Sequence, residues 1–346
     1  MRKVRILFGF IKLLMPEPLV ALIYTGRRAT VAGRVIDAKA QAVGDLVALL
    51  RDPDELPPVE ESRRQLAAMA EKLGKPCPVG VATSDILLPG AAGDRPARVY
   101  VPAGGDVNAS QPTLFYLHGG GWIQGGIDTH DGLCGALARQ AGVRVISYEY
   151  RLAPEDRFPA APDDVLAAYR ALIAGDTDLS VAPEQLVVGG DSAGGNLTAS
   201  LMHDLVTAGI ALPRAQMLIY PGLDARLETP SIRDLRDQPL LPATRIDWYI
   251  NLYLPEEQDR LDPRVSPTFS ETLASQPEAL IIAGGHDPLW DDAQIYAAKL
   301  TENGVKVELL NYPGQIHAFM SLTKVIPQGN DAVDKTADWL RRVLKG

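Results

Sequence analysis

Cysteine is nearly absent from this chain, with two residues, Cys77 and Cys134, in 346. That excludes a disulfide framework, and no Cys-x-x-Cys or Cys/His spacing suited to a metal occurs. Positive charge is also scarce: the formal net charge is −9, which leaves no basic excess to neutralise phosphates and argues against a nucleic-acid partner. No apolar stretch reaches the roughly 18 residues that a membrane-spanning helix needs. Internal repeats and low-complexity tracts are missing as well. What remains, at 46% hydrophobic and 22% charged, is the composition of an ordinary globular protein.

The charge is distributed unevenly. Residues 1–30 carry Arg2, Lys3, Arg5, Lys12, Arg27 and Arg28 against Glu17, a net +5 that leaves −14 for the rest. Ile6, Leu7, Phe8, Phe10, Ile11, Leu13 and Leu14 are interleaved with these charges. A secretory leader is not expected, because Lys12 interrupts the apolar stretch, Pro16 and Pro18 follow, and no small-x-small cleavage site is evident. The segment reads as an amphipathic helix that either packs on the protein itself or makes a weak membrane-surface contact. The chain is read as cytoplasmic.

From residue 98 onward, strand and helix patterns alternate. Strands are expected at 98–101, 113–117, 143–148, 185–188, 216–220, 279–283 and 306–310. Several are continuous apolar runs, as in strands buried on both faces of a parallel sheet. Helical patterns fall at 133–140, 163–174, 194–208, 291–303 and 331–344. This order specifies an α/β fold with a mostly parallel central sheet flanked by helices. Two parts break the alternation: residues 1–75, largely helical, and residues 224–275, rich in Pro, Asp and Arg, with a helix around Ile246-Asp247-Trp248-Tyr249. Both are expected to fold over the sheet as a cap on a core formed by 76–223 and 276–346.

Two glycine-rich stretches carry chemistry. In Leu186-Val187-Val188-Gly189-Gly190-Asp191-Ser192-Ala193-Gly194-Gly195, a strand runs directly into a helix through Gly-x-Ser-x-Gly. That is the context of a nucleophile elbow, in which the serine hydroxyl stands at the carboxyl edge of the sheet beside a helix amino terminus. The other stretch, His118-Gly119-Gly120-Gly121-Trp122, follows a strand. Three glycines in an ordered segment destabilise it by about 0.5–1 kcal/mol each relative to alanine, so a return is expected. Acyl transfer supplies one, since a tetrahedral intermediate carries a full negative charge that preorganised N–H donors stabilise. Gly120 and Gly121, with Ala193 after the nucleophile, are the expected oxyanion donors.

A serine nucleophile needs a positioned base. Of the five histidines, His118 is expected to be buried and to shape the glycine loop, while His130 reads as a surface or capping residue. His203 lies about 16 Å along a helix from Ser192, and His286 merely adjoins an aspartate. His317, in the loop after the last strand, is the candidate base. Asp287, in the loop after the preceding strand, is the candidate acid, its rivals Asp291 and Asp292 reading as first-turn helix residues. Ser192, Asp287 and His317 follow the chain order of α/β-hydrolases. Asp191 is expected to face away from substrate and make a structural hydrogen bond. Trp122, Tyr220, Trp248 and Tyr249 are expected walls of the substrate pocket.

At these motifs the sequence resembles the hormone-sensitive-lipase-like (bacterial family IV) carboxylesterases, a cap-bearing branch of the α/β-hydrolase fold. The likeness spans residues 98–345 and also rests on Tyr150-Arg151-Leu152-Ala153-Pro154-Glu155, Phe158-Pro159-Ala160, Asp287-Pro288-Leu289 and His317-Ala318-Phe319. It implies serine-dependent hydrolysis of carboxylic esters with short to medium acyl chains, a small-molecule ester as partner, no cofactor, no metal, and often a homodimer. A lipase or amidase on the same triad, or a ligand-binding receptor of the same fold, remain as alternatives. The chain departs from the family pattern at Gly284-Gly285-His286, where a glutamate commonly precedes the aspartate, and at Ala318, where glycine is usual.

Overall fold

The computed structural model describes residues 2–51, 56–105, 111–179, 181–256 and 259–345. Its centre is an eight-stranded sheet in the order β10-β9-β8-β7-β5-β6-β4-β3. The strands are β3 (Val81–Gly90), β4 (Gly93–Pro102), β5 (Thr113–Leu117), β6 (Arg144–Tyr148), β7 (Leu186–Asp191), β8 (Ala215–Ile219), β9 (Glu278–Gly284) and β10 (Val307–Tyr312). Those from β5 to β10 are mutually parallel, and β4 alone runs opposite to all the others, antiparallel to both β3 and β6. Every residue of β5, β6, β7 and β8 is buried, which is why their apolar runs are uninterrupted. A two-residue ladder, β1 (Thr30–Val31) with β2 (Arg34–Val35), stands apart from the sheet.

Each expected strand is present, and the sheet holds one more. β3 was not expected, because at the sheet's edge most of its side chains meet water and its sequence lacks a sustained apolar pattern. Its full pairing with β4 also extends β4 back to Gly93, five residues before the expected start at 98.

Helices cover both faces. α5 (Ile127–Ala141) and α11 (Pro327–Lys345) pack one side, where Leu137, Trp339 and Leu340 meet Val145 and Val187. α6 (Ala160–Ala174) and α7 (Ala193–Thr207) cover the other, with Tyr169, Leu172 and Leu201 against Val188. α10 (Trp290–Glu302) covers the β9–β10 end through Tyr296 and Leu300. The amino-terminal part contributes α1 (Arg2–Leu14), α2 (Glu17–Ile23), α3 (Ala38–Leu50) and α4 (Val59–Leu73), and the insertion contributes α8 (Pro230–Asp234) and α9 (Ala243–Tyr253). α1 packs on α3 and buries Leu13, while Leu7, Phe8 and Leu14 stay exposed. Among the described residues no helix is long and apolar enough to cross a membrane.

Candidate active site

The sheet register brings the two glycine-rich stretches together. Leu117, the last residue of β5, is paired with Gly190 of β7, so the loop after β5 and the turn after β7 start side by side. Ser192 has φ +53°, a left-handed backbone that is costly for a non-glycine residue, and caps the amino end of α7. A Cβ on Gly190 or Gly194 would collide with the Leu117 carbonyl oxygen, which is why the positions flanking the serine carry no side chain. The Ser192 N–H is anchored to the Ile219 carbonyl at 2.8 Å.

Asp287 and His317 come from the loops after β9 and β10, which pack tightly. A Cβ on Gly285 would strike the Pro313 carbonyl, so the glycines before Asp287 let the two loops touch. His317 stands between the other two residues, with Nε2 3.0 Å from Ser192 Oγ and Nδ1 2.6 Å from Asp287 Oδ2. Asp287 is fully buried, and its other oxygen accepts the Leu289 N–H at 2.9 Å. Ala318 adopts φ +58°, a conformation that favours glycine and accounts for glycine being usual there.

The glycine loop closes the constellation. Gly120 and Gly121 have φ +126° and +61°, and among the described residues no acceptor takes the N–H of Gly120, Gly121 or Ala193. The loop's lack of side chains has a second cause that sequence reasoning missed. A Cβ on Gly119 would meet Asp191, one on Gly120 the Gln124 carbonyl, and one on Gly121 the Tyr249 ring. The glycines are needed for close packing, and the N–H groups of Gly120 and Gly121 are left bare among the described residues.

A network behind the loop holds it. Asp191 Oδ1 accepts from Gly119 N–H at 2.9 Å and from Tyr116 Oη at 2.7 Å, and His130 Nε2 lies 3.1 Å away. Burial works against the Asp191 carboxylate, yet His130 together with these hydrogen bonds holds its pKa down at about 2. Burial likewise opposes charge on His130, and Asp191 outweighs it, raising the His130 pKa. His130 is thus a buried partner of Asp191 and not the surface or capping residue expected, because α5 packs on the sheet with the His130 ring turned in toward Tyr116 of β5. His118 is fully buried, stacks on Tyr150 at 4.3 Å, and is pushed down to a pKa of about 4, mainly by burial. Tyr150 Oη donates to the His118 carbonyl at 2.6 Å, and Ala153 N–H to the Trp122 carbonyl at 3.0 Å, so residues 150–153 brace the loop.

From above, α4 clamps the loop. Arg63 donates to the Ile123 carbonyl at 2.8 Å and binds Glu155 through two nitrogens, while Ser62 donates to Gln124 Oε1 at 2.6 Å. Gln124 Nε2 in turn donates to Tyr249 Oη at 2.9 Å.

A cavity of about 120 Å³ opens over Ser192, Ala193 and His317 and is mostly apolar. Leu66 and Met69 of α4 line it together with Ile246 and Tyr249 of α9, so both segments expected to form the cap reach it. Of the four expected wall residues, Trp122 and Tyr249 line the cavity. Tyr220 and Trp248 do not. The Tyr220 ring is buried edge-on to His317 at 4.9 Å and beside Phe319, supporting the imidazole from below. Trp248 precedes Tyr249 on α9, and successive helical residues point about 100° apart, so it faces elsewhere. Among the described residues no group of His, Cys, Asp and Glu is placed to hold a metal ion.

Residues 114–321 match the family model described as alpha/beta hydrolase fold. The chain belongs to the α/β-hydrolase family. It is 37% identical to the ethyl acetate hydrolase of Pseudomonas putida, over 82% of this chain and 90% of that one. It is 36% identical to the carboxylic ester hydrolase LipN of Mycobacterium tuberculosis, over 89% of this chain and 83% of LipN. Among solved structures, the ester hydrolase EH1AB1 from the metagenome of Lake Arreo, crystallised with a bipyridine phosphonate derivative, superposes with a TM-score of 0.84. That match has 35% identity and covers 89% of this chain and 99% of EH1AB1.

Proposed function

We infer that this α/β-hydrolase cleaves small carboxylic esters through an acyl-enzyme on Ser192. It is a carboxylic ester hydrolase, as its curated relatives are. The observation that carries the reading is the single imidazole of His317 within hydrogen-bond reach of both Ser192 Oγ and the buried Asp287 carboxylate. His317 takes the Ser192 proton as Oγ attacks the ester carbonyl, then gives it to the departing alcohol. Water activated by the same imidazole releases the acid. Asp287 keeps Nδ1 protonated and stabilises the imidazolium as it forms. The N–H groups of Gly120, Gly121 and Ala193 receive the oxyanion, a contribution worth roughly 10²–10³ in rate per donor.

The cavity volume of about 120 Å³ supports short to medium acyl groups over long-chain lipids. A p-nitrophenyl ester series from acetate to palmitate tests this. Activity is expected to peak at short chains, with a burst of p-nitrophenol that disappears in Ser192→Ala while the fold is retained. Full activity in that variant, or activity on long chains alone, refutes the reading.

A further inference from the structure

The catalytic cavity holds a charge that ester hydrolysis does not use. Two arginines line it, Arg245 from α9 and Arg51 from the end of α3. Arg245 is only 6% exposed, yet its guanidinium has no hydrogen bond and no ion pair among the described residues. Among the described residues, the Arg51 guanidinium makes one hydrogen bond, a long one of 3.4 Å to the Leu240 carbonyl. Burying a charge without a partner is strongly unfavourable, so buried arginines are ordinarily matched by a carboxylate.

The carboxylates that line the same cavity are already accounted for. Asp191 is engaged by His130, and Asp224 by Arg226 at 2.7 Å. Asp292 is pushed up to a pKa of about 8, first by burial, and is largely neutral at pH 7. Burial and then the nearby Arg245 charge lower the Arg51 pKa, while Tyr249 acts the other way, so these three groups lie within electrostatic reach of one another. Tyr249 Oη accepts from Gln124, which leaves its proton free to donate. The cavity therefore offers guanidinium donors and a phenol to something negatively charged.

Resting on the ester-hydrolase reading, we propose that Arg245, with Arg51 and the Tyr249 hydroxyl, forms a subsite for a carboxylate carried by the substrate. The enzyme's preferred esters would then be short and anionic, with the carboxylate on either the acyl or the alcohol part. Guanidinium suits this task because its planar fork matches a carboxylate.

The test measures calorimetric binding of two ester pairs to the Ser192→Ala protein, and kcat/KM for the same pairs with the active enzyme. Monoethyl glutarate against its terminal carboxamide places the charge on the acyl side, and 3-acetoxypropanoate against 3-acetoxypropanamide places it on the alcohol side. At least one carboxylate is expected to bind about tenfold or more tightly than its own amide. That ratio should fall to about one on adding Arg245→Gln and take an intermediate value with Arg245→Lys, which keeps charge but loses the fork. Because each protein is compared with itself on two probes, a general loss of stability does not mimic the result. If neutral esters are cleaved and neither carboxylate is preferred, the subsite is refuted while the esterase reading stands. If a carboxylate binds preferentially but no ester is cleaved, the subsite stands and the esterase reading falls.

Discussion

Replacing His130 with phenylalanine keeps a flat ring in the same slot of α5 and removes the cation that faces Asp191. Three groups converge on one Asp191 oxygen: His130 Nε2 at 3.1 Å, Tyr116 Oη at 2.7 Å and Gly119 N–H at 2.9 Å. The variant leaves a buried carboxylate with two neutral donors. Breaking a buried ion pair from one side costs about 3–5 kcal/mol. The acidity of Asp191 gives an independent figure. Its pKa of about 2 against an ordinary 3.8 corresponds to about 2 kcal/mol, part of it supplied by Tyr116 and Gly119. A loss of about 3 kcal/mol is therefore expected, with kcat reduced because Asp191 positions the Gly119 end of the glycine loop proposed to hold the oxyanion.

The pH dependence gives the prediction its sharper edge. Asp191 has a folded pKa below its unfolded one, so its contribution is complete above about pH 4 and disappears as pH falls through 2. His130 has a folded pKa above its unfolded value of 6.5, so its contribution is complete below that value and fades as pH rises through the raised pKa. The gap between parent and variant is thus widest from about pH 4 to 6.5 and narrows at alkaline pH. Urea unfolding followed by tryptophan fluorescence at pH 5.5 and pH 9 measures it. A gap under about 0.5 kcal/mol at pH 5.5, or one that widens toward pH 9, refutes the account. Adding Asp191→Asn to His130→Phe removes the orphaned charge, so the double variant should be more stable than the sum of the single losses implies.

Two further changes probe the neighbourhood. Gly121→Ala places a Cβ at φ +61° against the Tyr249 ring; a destabilisation of about 1–2 kcal/mol from the backbone alone, and a larger drop in kcat than rise in KM, are expected from unfolding curves and steady-state kinetics. Asp292 has its pKa raised by burial from 3.8 to about 8, so it favours the folded state below pH 4 and loses that benefit as pH rises through 8. Asp292→Asn keeps an oxygen for the Leu223 and Asp224 N–H groups, so its melting temperature should exceed the parent's at pH 8.5 and vary less with pH; equal pH profiles would count against it.

Much of the fold was legible because the parallel strands are buried on both faces and their apolar runs leave no alternative register of inside and outside. β3 escaped notice for the converse reason, since a wetted edge strand needs no apolar pattern. The candidate nucleophile was legible because Gly190, Ser192 and Gly194 form a local motif whose geometry demands glycine on either side. The convergence of the candidate base and acid was legible through topology, as loops following consecutive parallel strands must emerge at one sheet edge. Orientation on α9 was not. Trp248 and Tyr249 are neighbours in sequence, and which of them meets the cavity depends on how the insertion docks, a matter of packing between segments far apart in the chain.

The same limit explains why the most consequential groups in the cavity went unseen. Arginine is common on surfaces, and nothing local distinguishes Arg245 from its exposed counterparts. Only the docking of α9 over the loop after β5 buries it, and only the count of carboxylates around it shows that none among the described residues matches its charge, each being already engaged or neutral. Catalytic residues announce themselves in sequence because chemistry fixes both their type and their place on the scaffold. A specificity group need only reach the cavity from some cap element, so its identity emerges from charge balance in three dimensions. On the proposed reading the triad and its N–H donors would cut the ester, and the two cavity arginines bear on which ester.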